Sequence, residues 1–112
     1  MDHSDRLKQL YNGVLSEGPF PTEECAQAHM TAAEHGALVL YLADIAGLAS
    51  RGERGLVALS ESDGAKFRKL ATRDVSTVVA EISTRITPQV TPKLHALIEA
   101  TEEARLLILR AL

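Results

Sequence analysis

The 112 residues carry 12 Lys and Arg against 15 Asp and Glu, a formal charge of −3, and 46% are apolar. That is enough apolar material for one compact domain spanning residues 1–112, and the balance is not that of a disordered chain. A single Cys excludes a disulfide scaffold, and 4% aromatics with no Trp argue against a stacking platform for sugars or single-stranded nucleic acid.

In chain order, Ser4 reads as the cap of a short first helix. Leu7, Leu10, Tyr11, Val14 and Leu15 recur at three- and four-residue spacing until Gly18-Pro19-Phe20-Pro21 stops it. Met1-Asp2-His3-Ser4-Asp5-Arg6 shows no basic segment leading into an apolar one, so no signal peptide is expected. The longest uncharged apolar run in the middle of the chain, residues 36–43, is far short of the roughly 20 residues a bilayer requires. With one thiol and no partner for it, a soluble cytoplasmic protein is expected.

Thr22 then reads as an N-cap with Glu23 and Glu24 in the first turn, opening a helix expected to continue to residue 51. Unbroken, it would be the longest element, about 45 Å at 1.5 Å per residue. On a helical wheel it separates two stripes. One has Leu38, Leu42, Ile45 and Leu48 in its second half, suited to a core, but Glu24, Gln27, Thr31, Glu34 and His35 in its first half. Those polar residues are expected at the surface or, alternatively, lining a small-molecule pocket formed by Glu24, Thr31, Glu34 and His35. The opposite stripe reads Cys25, His29, Ala32, Gly36, Val39 or Leu40, Ala43, Gly47 and Ser50, a heptad-like seam of mostly small side chains. Small residues let two helix backbones approach closely and gain dispersion contacts. The partner is either another helix of the chain or a second copy, and residues 25–50 hold just two formal charges, Glu34 and Asp44.

Ser60-Glu61-Ser62-Asp63 has capping-box spacing and opens a third helix, with Phe67, Ala71, Val75, Val78, Ile82 and Ile86 on one face up to Thr87-Pro88. Thr91-Pro92 is an N-cap followed by Pro at the first helical position. It opens a fourth helix whose inner face is Leu94, Leu97, Ile98, Thr101, Ala104, Ile108 and Ala111. Short connectors between four helices favour antiparallel neighbours, so the expected fold is all-α, an antiparallel up-down helical bundle with its first helix short and its second longest. Leu106-Leu107-Ile108-Leu109 surrounds a full helical turn with large aliphatics, more than one set of neighbours hides. Leu106 and Leu109 are therefore expected at an interface.

Chemistry is sparse. Cys25, three residues after the cap, and His29, one turn on, place a thiol and an imidazole on one face, but a lone Cys on a seam of small residues is expected to be a packing residue. Ala28-His29-Met30 resembles the opening of the motif of histidine-containing phosphotransfer domains, which are four-helix bundles of this size, and that resemblance implies a phosphoryl-accepting role for His29. The family follows its His with Lys at the third position and Gly at the fourth, where this chain has Ala32 and Ala33. No Gly-rich phosphate loop, His-Glu-x-x-His or paired-Cys knuckle occurs, and no Glu precedes a His by three residues, so no enzyme, cofactor or metal site is expected. Lys66, Arg68, Lys69 and Arg73 neutralise too few phosphates for a nucleic-acid site, and residues 70–82 lack the central Gly of a helix-turn-helix. The reading that follows is a small interaction or regulatory module that self-associates, as a homodimer or on a protein client, through Cys25, His29, Ala32, Gly36, Ala43, Gly47, Leu106 and Leu109.

Overall fold

The computed structural model describes residues 3–10, 22–51, 55–56, 58 and 72–110. Among them the fold is all-α, with α1 (His3–Leu10), α2 (Thr22–Gln27), α3 (Ala32–Ala49), α4 (Val75–Ile82) and α5 (Pro92–Arg110), and no strand. The proposed stop at Gly18-Pro19-Phe20-Pro21, the capping box at residues 60–63, the inner-face Phe67 and the basic Lys66, Arg68 and Lys69 lie outside the described residues.

The span expected to be one long helix is two. The ladder breaks after Gln27, and α3 starts afresh behind Thr31. The cause is local and strong. The Glu34 N–H donates to Thr31 Oγ1 at 3.1 Å, and the Thr31 N–H donates to Glu34 Oε1 at 3.0 Å, a complete capping box. On the other side α2 closes in a Schellman turn. The Met30 N–H reaches Cys25 O at 3.1 Å and the His29 N–H reaches Ala26 O at 3.0 Å. His29 occupies the left-handed position of that turn, at φ 57°. With the long helix divided, the 19 residues of α5 make it the longest described element.

The inner face of α3 is as its periodicity predicts, with Leu38, Leu42, Ile45 and Leu48 buried together with Ala46 and Ala49. Ser50 closes the helix, its N–H bonded to Ala46 O and its hydroxyl donating to Gly47 O at 2.7 Å.

The third predicted helix is interrupted at residues 72–74 and ends early. Thr72 and Arg73 lie in a bend, Asp74 caps α4 by accepting from the Thr77 N–H at 3.3 Å, and the helix ends at Ile82, ahead of Thr87-Pro88. Ser83 follows in an extended conformation, so Ile86 packs on the core from a non-helical segment. Val75 and Val79 are the buried residues of α4.

Helix α5 begins where Thr91-Pro92 places it. Pro92 lacks the N–H that a first helical residue leaves unused, and the buried Thr91 hydroxyl donates to Thr87 O at 3.0 Å. Leu94, Leu97, Ile98, Thr101, Ala104, Leu107 and Ile108 form its buried stripe, and Thr101 satisfies its own hydroxyl on Leu97 O at 2.7 Å. This stripe packs against α1, α3 and α4, and α3 also meets α4. Two polar links add to it. The Arg6 guanidinium of α1 pairs with Glu103, with Nη2 to Oε1 at 2.8 Å. Glu102 takes the Val75 N–H at 2.9 Å, meeting the N-terminus of α4, while also holding the buried Arg105, with Nη2 to Oε1 at 2.7 Å.

Full burial of a Leu in this stripe contributes about 1.5–3 kcal/mol. Leu94→Ala should therefore lower unfolding stability by about 2–5 kcal/mol in urea titrations. Val90→Ala, at a site 43% exposed, should stay within about 0.5 kcal/mol.

Candidate functional site

The polar half of the α2–α3 span converges on the corner between the two helices. Thr31 and Glu34 cap α3. Arg85, from the segment after α4, donates to the His29 carbonyl and lies 3.9 Å from Glu34 Oε1 through its Nε. A hydrogen bond from the Ser83 side chain, with those from Thr31 and the nearby Arg85, holds the Glu34 carboxyl below its usual range. Glu24 and His35 are half-buried to either side of the corner. Thus Thr31, Glu34 and His35 of the residues read as a ligand-lining stripe sit together at the start of α3, with Thr31 and Glu34 occupied in building the chain reversal, while Glu24 lies on α2.

Cys25 and His29 diverge at the same corner. Cys25 is 3% exposed, and burial, assisted by Glu24, raises its thiol pKa, which disfavours the thiolate a nucleophile needs. His29 is exposed and lies outside both helices, so its side chain has lost the one-turn relation to Cys25 that a continuous helix would give. Among the described residues no group of three His, Cys, Asp or Glu side chains is placed to share a metal ion.

The remaining seam residues form one surface. Ala32, Gly36, Ala43 and Gly47 are exposed along α3, together with Ala33 and Ala37, and Leu40 among them is 69% exposed. A Cβ added at Gly36 or Gly47 meets nothing within 4 Å. So α3 is apolar on the face that packs inward and nearly apolar on the face that does not. Over its 18 residues its mean hydropathy is 1.2, high enough by length and composition alone for a membrane span, and 33% of it is buried. At the far end of α5, Leu107 and Ile108 are buried, Leu109 is half-buried and Leu106 is 42% exposed.

A feature that sequence reasoning missed is a cleft of about 600 Å³ between α3 and the start of α4. One wall is a stripe of α3, Tyr41, Asp44, Ile45 and Leu48, with Arg51 just beyond the helix end, and the other includes Thr72, Arg73 and Val78. The α3 residues share a face by their three- and four-residue spacing. Nothing local announces that residues 72–78 lie opposite them.

Comparison with protein-family models, with curated proteins and with solved structures finds no match to this chain.

Two measurements follow from the corner. A left-handed backbone costs a residue with a Cβ about 1–2 kcal/mol relative to one without, so His29→Gly should raise stability by up to about 1 kcal/mol after the added freedom of the unfolded glycine is subtracted. Chemical denaturation reads this directly. The second concerns acid. Because the folded state depresses the Glu34 pKa, the carboxylate stabilises the protein above its unfolded pKa, and that contribution is lost as pH falls through the folded value. Glu34→Gln, which retains capping-box geometry, should be less stable than the parent at neutral pH, and the two urea midpoints should converge in acid.

Proposed function

We propose that this protein is a small non-enzymatic interaction module that self-associates as a homodimer, with the exposed face of α3 as its contact surface. The observation that carries the reading is the mismatch on α3. Ala33, Gly36, Ala37, Leu40, Ala43 and Gly47 face outward, and an apolar helix surface of this length gains free energy when covered. Small side chains allow a second α3 to lie close along the seam, and a two-fold arrangement buries the same surface on both copies. Leu106 extends the apolar surface of α5. In this reading Cys25 is a packing residue, and the lone thiol suits a reducing compartment such as the cytoplasm. The described helices are taken as an antiparallel up-down bundle of four arms, α1, the bent α2–α3 arm, α4 and α5. Support comes from the packing of α5 against three of the others and from the short link of residues 83–91.

A second copy is favoured over a bilayer as the cover. Asp44 lies exposed in the second half of α3, and an acid at the centre of a span costs about 2.5–3.5 kcal/mol. The opposite face of the same helix is packed on α4 and α5.

Gly36→Leu separates association from folding, because the new side chain finds open space within its own chain. Relative to glycine it should add about 0.8 kcal/mol of helix propensity. Light scattering after size exclusion should show a concentration-dependent dimer for the parent, and a monomer of undiminished helicity for Gly36→Leu and for Leu40→Glu. A monomeric parent at high protein concentration, or an unchanged mass in both variants, contradicts the reading. Sedimentation of the parent with lipid vesicles assigns the face to a membrane instead.

A further inference from the structure

The cleft between α3 and the start of α4 has the size and composition of a small-molecule site. Its volume of about 600 Å³ lies in the range that encloses a drug-sized ligand, roughly 300–1,000 Å³. The α3 wall supplies the buried Ile45 and Leu48, and α4 supplies the half-buried Val78. Set against these apolar surfaces are a few polar groups: the phenol of Tyr41, Thr72, one carboxylate from Asp44, and two guanidinium groups from Arg51 and Arg73. The Tyr41 phenol is a hydrogen-bond donor at neutral pH, as any phenol is, and burial raises its pKa further.

The charges decide the class of ligand. Among the described residues of the lining, two cations face one anion. Arg73 is paired with Glu81, while Arg51 has no ion-pair partner among the described residues. Arginine is the side chain best shaped to take a carboxylate through two parallel hydrogen bonds. We propose that the cleft binds a small monoanionic amphipath, its carboxylate taken by Arg51 with Arg73 and its apolar chain or ring laid against Ile45, Leu48 and Val78. The site shares Ala43 and Gly47 with the exposed face of α3, so a second copy seated on that face competes for two of its lining residues. The Gly36→Leu chain allows it to be titrated in a background where that face is blocked.

The test is calorimetric titration of the full chain with decanoate, and with decyltrimethylammonium as a tail of equal length and opposite charge. Decanoate should bind saturably, one per chain. Arg51→Gln combined with Arg73→Gln should weaken it at least about tenfold, the scale expected for charge-assisted hydrogen bonds. Glu81→Gln, which releases Arg73, should tighten it. Gly47→Leu, whose added side chain meets open space at the cleft wall, should compete with the ligand and weaken binding without unfolding the protein. The proposal is overturned by absence of saturable decanoate binding, by equal affinity for the cationic tail, or by binding indifferent to the two arginine replacements. Sedimentation with phosphatidylglycerol vesicles while decanoate fails to bind also overturns it, and assigns the charges to a lipid surface.

Discussion

One buried stripe on α5 is the constraint on which the described fold depends. Leu94, Ile98, Thr101, Ala104 and Ile108 follow helical spacing, and three other helices lie against the surface they belong to. Because α1, α3 and α4 each meet α5, displacement of that helix removes neighbours from all of them at once. The polar residues near the stripe serve the same end. Glu102 meets both the first backbone donor of α4 and a buried arginine, so a charge that would be costly alone is distributed over two partners.

The corner between α2 and α3 works by a different economy of groups. A Schellman turn finishes one helix and a capping box begins the next, so backbone groups that a helix end leaves unpaired are satisfied within a few residues. Arg85 then fastens this corner from a segment more than fifty residues further along the chain. Polarity here maintains chain direction, with Thr31 and Glu34 of the polar row engaged in the cap of α3.

Much of this was legible in the residues, and the losses have identifiable causes. The helical class, the Thr91-Pro92 start of α5 and its inner face followed from spacing, since each depends on neighbours within four positions. Thr31-Ala32-Ala33-Glu34 carried the same signature that was read at Ser60-Glu61-Ser62-Asp63. The apolar period that continues across the break, with Ala-rich segments favouring helix on both sides, masks it. Asp74 was likewise a cap hidden inside a periodic run. The cleft was not legible at all, since Tyr41, Arg51 and Arg73 become neighbours through the docking of α3 beside α4, a long-range event with no local trace. The small-residue seam was visible as a pattern, whereas its outward orientation was decided by which face of α3 the leucines claimed.

The order of the helices has a consequence for how the protein is made. α3 is apolar nearly all round, yet the helix against which it packs, α5, is separated from it by residues 50–91 and follows it from the ribosome. During synthesis the inner face of α3 therefore lacks part of its cover until α5 emerges, and this pairing has the high sequence separation that slows folding and invites unwanted association. A chain arranged this way leaves part of an apolar helix uncovered until its last described element has been made.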